Sequence, residues 1–429
     1  MKLNRYVHII GQNDQSYWYN GLNAKFFRIP AEIGEKLSHI IEHPEQVQAL
    51  LPKLYEKLVQ DEFLLEDDVD EYEIVRQRYH ESVSSNHAHL VILPTLNCNY
   101  KCWYCIQSHV PSMMSPETME RIKKHLDHLV KVQKVKSLHL DWFGGEPFMY
   151  MKQVVLPLSR YAKELCSEAE IPFINGATTN GYFMTPDRHQ EMKEVDLKGF
   201  QITLDGDREH HDKVKFMDGL DSAFDRALSN INAILHHTPD TSMVLRINYT
   251  SENLSEGIVD EICERIDPDI RRRIFILPRK VWQAAPDFAT TEMVKRILLR
   301  LKKEGFSVQL WNPVTNYRSC YVSNKTYETI NYQGHLLKCT ATDDLYREEP
   351  LGYLDEDGIA HWDEEYRTAS SKPSFENDRC RECKLLPSCM GICPGNYLEG
   401  DNGCKYATVD SKFEDSIVIF IDDKINHQP

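Results

Sequence analysis

Leu90-Val91-Ile92-Leu93-Pro94-Thr95-Leu96-Asn97-Cys98-Asn99-Tyr100-Lys101-Cys102-Trp103-Tyr104-Cys105 runs from an apolar stretch into three cysteines. Leu90 to Leu93 is short, apolar and closed by Pro94, the pattern of a buried strand. Three thiolates at this spacing can wrap one face of a cubane cluster, supplying three ligands for four irons and leaving one iron open. A tetrahedral zinc would need a fourth ligand, for which His109 is the only near candidate. Position adds to spacing, because α/β sheets carry their chemistry at the carboxyl ends of their strands.

Working outward, apolar runs alternate with amphipathic helical patterns from about His89 to Trp282. After the first strand come Leu138 to Phe143, Phe173 to Thr178, Gly199 to Leu204, Val244 to Asn248 and Ile274 to Leu277. Between them the 3.6-residue periodicity predicts helices near Glu117 to Val130, Val154 to Ser167, Asp187 to Lys193, Ser222 to Leu235 and Leu254 to Ile266. Parallel strands need a crossover of this length, so the alternation implies an α/β fold with a parallel sheet wrapped by helices. Six such units predict a partial TIM-like barrel, since a full one takes eight. A further helix, Glu292 to Lys303, ends this region.

Before it, Tyr6 to Ile10, Ser16 to Tyr19 and Phe26 to Ile29 read as strands. They precede two helical patterns, the second at Val47 to Val59 after Pro44, which together predict an α+β module of winged-helix size. The acidic run Glu66, Asp67, Asp68, Asp70, Glu71 and Glu73 reads as a solvated linker. From about Phe306 onward the chain is loop-rich, with cysteines among Gly, Pro, Asp and Asn, and such a segment needs metal or covalent staples. The expected organisation is therefore residues 1–80, 88–305 and 306–429.

The chain has 429 residues, with 66 acidic against 50 basic side chains and a formal charge of −16. Such a field repels nucleic acid and anionic membrane, and neither is an expected partner. Met1 to Gly11 lacks the features of a secretory signal and no run of about 18 apolar residues occurs, so a cytoplasmic location is expected. Twelve cysteines in a reducing compartment favour metal binding over disulfides. Cys166 and Cys263 fall in predicted helices and read as structural thiols.

The Cys98, Cys102, Cys105 triad with Tyr104 before its last member resembles the signature of the radical S-adenosylmethionine (radical SAM) superfamily. In that family the open iron is chelated by the methionyl amino and carboxylate groups. Gly144-Gly145-Glu146-Pro147 at the end of the second strand is similar to the segment that receives the methionyl amino group. Glycines allow close backbone approach, and the Glu146 carboxylate would balance an ammonium. Thr179-Asn180-Gly181 ends the third strand, and Thr203-Leu204-Asp205-Gly206 ends the fourth, where relatives carry Ser-x-Asp-Gly against the ribose hydroxyls. His211-Asp212 resembles the following His-Asp-x-x-Arg string, with Lys215 in place of the arginine, a point charge in place of a bidentate fork. Arg246 and Asn248 on the fifth strand are further candidates for the same site. No residue stands out as a catalytic acid or base.

The later cysteines read Cys320-x13-Gly334-x4-Cys339, then Cys380-x2-Cys383-x5-Cys389-x3-Cys393, then Cys404. This spacing resembles the SPASM domain, a two-cluster extension of radical enzymes that modify peptides; a zinc ribbon would account only for Cys380 and Cys383. The resemblance implies that Cys380, Cys383, Cys389 and Cys404 hold a distal cluster and that Cys320, Cys339 and Cys393 hold one nearer the active site. Relatives with a full set have another cysteine where this chain has Val314.

The implied cofactors are S-adenosylmethionine and three [4Fe–4S] clusters, one cleaving the cofactor to a 5′-deoxyadenosyl radical. The implied substrate is a ribosomally made precursor peptide with a leader, receiving a thioether or another crosslink. The implied reductant is a donor such as flavodoxin or ferredoxin. An anaerobic sulfatase maturase is the competing enzyme; against it stand the long stretch before the triad and Thr340, where those enzymes carry an aspartate base after the cysteine equivalent to Cys339. A metal-dependent binding protein without turnover is the third reading.

Overall fold

The computed structural model describes residues 1–285, 288–309, 317–318, 320–342, 349–398, 400, 403–404 and 413–426. The chain divides into two compact units, one formed by Asn86–Gln309 with Thr326–Arg367, the other by Met1–Ser85, Leu310–Lys325 and Thr368–Pro429.

The first unit is built on a mixed, mostly parallel α/β sheet. Six strands, β1 (Ala88–Ile92), β2 (Leu138–Trp142), β3 (Phe173–Thr179), β4 (Leu197–Asp205), β5 (Ser242–Tyr249) and β6 (Ile274–Lys280), lie side by side in chain order and pair in parallel. Their crossovers carry α1 (Pro116–Asp127), α2 (Leu156–Glu168), α3 (His189–Glu194), α4 (Arg208–Val214), α5 (Ala223–His237) and α6 (Ile258–Arg265), with α7 (Phe288–Lys303) after β6. Helix α1 starts at Pro116 behind Ser115, whose hydroxyl accepts from the Thr118 N–H, and Ser222 caps α5 in the same way. Crossovers of one hand between consecutive strands put the helices on one face. On β2 that face is Leu138, Leu140 and Trp142, all buried, with Trp142 Nε1 donating to Ser159 Oγ of α2 at 3.2 Å. The opposite face of β2 carries His139 and Asp141.

The sheet reaches beyond the six units. Ser307–Val308 pairs in parallel with β6, and Tyr327–Ile330 pairs in parallel with β1 and antiparallel with Leu336–Leu337. These strands lie in the region read from sequence as loops. They are too short for a period-2 signal, and their burial comes from their neighbours.

In the second unit Val7–Gln12, Gln15–Asn20 and Phe26–Pro30 form an antiparallel sheet in that order, so Phe26–Pro30 is an edge strand. The first hairpin turns on Asn13 and Asp14, both left-handed (φ 53° and 56°), as a two-residue turn requires. The single helix expected at Val47 to Val59 is two, Pro44–Leu50 and Pro52–Gln60. Pro52 lacks an N–H and drives Leu51 out of the helical region, to φ −137° and ψ 61°. The acidic run is also not a linker throughout. Asp70 caps a helix over Glu71–Val83, accepting from Tyr72 N at 2.9 Å, and Glu71 is buried against Lys2. That helix buries Tyr72, Val75, Tyr79 and Val83 in one cluster with Tyr6, Leu22, Phe375, Leu386 and Met390. The helix Phe413–Asn426 packs Ile417, Phe420 and Ile421 against Tyr17 and Tyr19 of the sheet. No described helix is long and apolar enough to cross a membrane.

Candidate active site

The triad loop leaves the carboxyl end of β1 and is tied to the turn after β2. Gly145 N donates to Thr95 O at 3.1 Å and Glu146 N to Asn97 O at 2.8 Å. Gly144 sits at φ 119°, and a Cβ on Gly145 would stand 1.9 Å from Asn97 O, so neither position accepts a side chain without moving the triad loop. Pro147 begins a turn of 3-10 helix over Pro147–Tyr150, in which Pro147 and Phe148 are buried.

Glu146 is fully buried. Its carboxylate accepts from Phe148 N at 3.0 Å, Thr179 Oγ1 at 2.8 Å and Asn180 N at 2.8 Å, joining the ends of β2 and β3. Burial outweighs these bonds and pushes its pKa up to about 7. The carboxylate thus supports the loops as well as facing the neighbourhood of Cys98, whose thiol its charge helps to raise. Asn180 Nδ2 donates to Asn99 Oδ1 at 2.8 Å, linking the third strand end to the triad loop.

Around the ends of β4 and β5 the polar residues satisfy one another. Asp205 is fully buried, and it pairs with the buried Lys215 through a close Nζ–Oδ2 contact. Lys215 Nζ also donates to Thr203 O at 3.2 Å. The other Asp205 oxygen accepts from Tyr104 OH at 2.5 Å and Asn248 Nδ2 at 3.2 Å, and Arg246 Nε donates to Asn248 Oδ1 at 2.8 Å. Burial alone would raise the Asp205 pKa, but Lys215 and the buried His211 hold it below the usual range. The expected residues Tyr104, Thr203, Asp205, Lys215 and Arg246 therefore share one network, and Asn248 completes it.

The thiols of Cys98, Cys102 and Cys105 are close enough to perturb one another. Burial pushes all three up, Cys98 to about 12, while Lys215 pulls Cys102 and Cys105 back. Buried neutral thiols that would ionise on meeting a cation suit a metal cluster, since ligation draws off their protons. Asn99 Nδ2, Gln107 Oε1 and His211 Nε2 are buried with no protein partner, which a bound polar group would relieve. His109 Nε2 stands 3.3 Å from Cys105 Sγ, where it can donate to a thiolate.

Of the later cysteines, Cys380 and Cys404 lie near enough to Cys383 to raise its thiol, and Cys393 acts likewise on Cys320. Cys389 Sγ is 3.6 Å from Gly391 O. Cys339 belongs to the unit of the parallel sheet, where Ala341 N donates to its sulfur at 3.3 Å. Val314 lies outside the described residues. Cys166 is buried in α2 and Cys263 half-buried in α6.

Residues 92–256 match the model of the Radical SAM superfamily. The radical SAM cyclopropyl synthase TigE of Paramaledivibacter caminithermalis is 21% identical over 92% of this chain and 89% of its own. The serine-type anaerobic sulfatase-maturating enzyme of Bacteroides thetaiotaomicron is 25% identical over 72% of this chain and 84% of its own. Among solved structures, SuiB of Streptococcus suis bound to its precursor peptide SuiA superposes with a TM-score of 0.51 at 16% identity, covering 93% of this chain and 96% of that one. Native anSMEcpe with bound AdoMet gives 0.56 at 16% identity, covering 79% and 98%. At these identities the two structures bear on the fold alone. The triad, the glycine turn and the polar ends of β3, β4 and β5 all fall inside the matched segment, which marks residues 92–256 as a radical SAM region and the chain as a radical SAM enzyme similar to a cyclopropyl synthase and a sulfatase-maturating enzyme.

Proposed function

We propose that this enzyme modifies a ribosomally made precursor peptide, binding the peptide's leader through the amino-terminal module of residues 1–80 and its core at the barrel of residues 88–305. When bound, the cluster and S-adenosylmethionine supply a 5′-deoxyadenosyl radical that takes hydrogen from unactivated carbon. Cys98, Cys102 and Cys105 would hold the cluster. The Gly144–Gly145 backbone, supported by Glu146, Pro147 and Asn180, would receive the methionyl group. Thr203, Asp205 and Asn248 offer hydrogen-bonding groups to the ribose, with Tyr104 and Arg246 orienting them and Lys215 neutralising Asp205. Residues 306–429 would form a SPASM domain with two auxiliary clusters, one on Cys380, Cys383, Cys389 and Cys404, the other on Cys320, Cys339 and Cys393. A ferredoxin or flavodoxin would supply the electron.

The observation that carries the peptide reading is the edge strand Phe26–Pro30. Among the described residues it pairs on one side only, with Gln15–Asn20, and an extended leader can add to its open side. TigE and SuiB, the latter solved with a precursor peptide, match over nearly the whole chain.

The test is hydrogen exchange on the intact holoenzyme with a candidate precursor from the neighbouring reading frames, alongside mass analysis of the peptide. Amides of Phe26 to Ile29 should slow by at least about tenfold, the protection expected of newly formed strand pairing, and the peptide mass should change. An unchanged peptide with unprotected amides, together with oxidation of a sulfatase-derived peptide to formylglycine, would replace this reading with the sulfatase one suggested by the second relative.

A further inference from the structure

On the face of the sheet away from the helices, β1 and β2 bring together His89, His139 and Asp141. His89 and His139 are register partners on adjacent parallel strands, and their rings stack at 4.2 Å with planes 6° apart. Both Nε2 atoms point at one carboxylate oxygen, Asp141 Oδ2, at 2.7 Å from His89 and 3.4 Å from His139. One donor atom from each residue lies within 4.8 Å of the other two. Gly176 of β3 is opposite Asp141, and a Cβ there would stand 2.7 Å from Asp141 Oδ1, so the glycine makes room for the carboxylate. Tyr327, opposite His89 on the neighbouring strand, sets its ring edge-on to that imidazole at 5.0 Å.

Two partly exposed imidazoles converging on one carboxylate oxygen do no apolar packing. Rigid, registered strands hold two nitrogen donors and one oxygen donor in place, a set suited to borderline divalent cations. All three side chains keep about a quarter to a third of their surface exposed (26%, 31% and 34%), so an ion there would have a coordination position left for an outside ligand. The other described group of this kind, His236 with Asp267 and Asp269, is fully on the surface and lacks such framing. We propose that His89, His139 and Asp141 form a mononuclear site for a divalent transition-metal ion, zinc being the probe, with its open position available to an oxygen donor of the substrate. None of the three residues belongs to the cysteine triad or to the Asp205 network, so the site is separate from the one that cleaves the cofactor.

The test uses anaerobically reconstituted holoenzyme, stripped of loose metal on a chelating resin and given one equivalent of Zn2+. Zinc should stay bound through gel filtration. Its X-ray absorption should show nitrogen and oxygen neighbours at about 2.0–2.1 Å and no sulfur at about 2.3 Å. His139→Ala and, separately, His89→Gln should weaken zinc binding by at least about tenfold, with iron content and cofactor cleavage unchanged. Zinc that washes off the wild type, a shell containing sulfur, or equal retention by two correctly folded variants with full iron content would each overturn the assignment.

Discussion

Asp205 and Lys215 show how far one residue's role could be read from its neighbours in sequence. Lys215 in place of arginine raised the question of what its charge would meet, and the structure turns it onto Asp205 and the Thr203 carbonyl. Spacing could not reveal this, because the pairing depends on α4 returning the chain to the end of β4. Glu146 is similar: the motif was legible, but its bonds to Thr179 and Asn180 across two strand ends were not. Removing Lys215 leaves a fully buried carboxylate without its cation, a loss of about 3–5 kcal/mol when one partner of a buried pair is deleted. Lys215→Met should therefore lower the denaturation midpoint of the holoenzyme sharply, while Lys215→Met with Asp205→Asn should recover much of that loss. Equal stability of the single and double variants would show that the pair is not coupled.

At the level of elements, the six parallel strands and most of their helices were legible from their apolar pattern, whereas α4, only seven residues long, was not among the helices expected. The helix Glu71–Val83 carried a readable signal too. Tyr72, Val75, Tyr79 and Val83 recur at helical spacing, but the acidic run at its start masked them. Tyr327–Ile330 gave no such signal, and its place is fixed by tertiary partners. Glu328 of that strand is buried and accepts from His125 of α1, Nε2 to Oε2 at 2.7 Å, while His125 Nδ1 meets Gly358 O at 3.0 Å. Burial alone would push the His125 pKa down, but Glu328 and the Gly358 carbonyl outweigh it and raise it. A raised folded pKa makes this contribution fully present below the unfolded value of about 6.5 and lost as pH rises through the folded one. Lys338, buried beside Glu328, titrates at about 8, so the clean window lies between pH 6.5 and that value. Across it the wild type should lose stability relative to His125→Gln as the pH rises. Urea unfolding of both proteins at the two ends of the window measures this, and parallel pH profiles would contradict it.

Across the whole molecule, the sequence order of segments and the compact units follow different lines. The chain passes between the two units more than once, and residues 1–85 are grouped with 368–429. The reason is packing: the face of Glu71–Val83 is completed by Phe375, Leu386 and Met390, about three hundred positions later, a pairing that no local pattern encodes. Deleting the amino-terminal module would thus open the core beside Cys380, so hydrogen exchange on the intact chain is the cleaner probe of leader binding. The candidate active site was more legible than the units, since its residues fall at consecutive strand ends and the fold class dictates that these converge.

On the proposed function, the triad at the end of β1 supports reductive cleavage of S-adenosylmethionine. Its most direct test is 5′-deoxyadenosine release by anaerobically reconstituted, dithionite-reduced enzyme, compared with a variant in which Cys98, Cys102 and Cys105 are replaced by Ala. The wild type should form 5′-deoxyadenosine and methionine in equal amounts. The triple variant should form none while keeping the iron bound by the later cysteines. No 5′-deoxyadenosine from iron-loaded wild type, or equal amounts from the variant, would contradict the account.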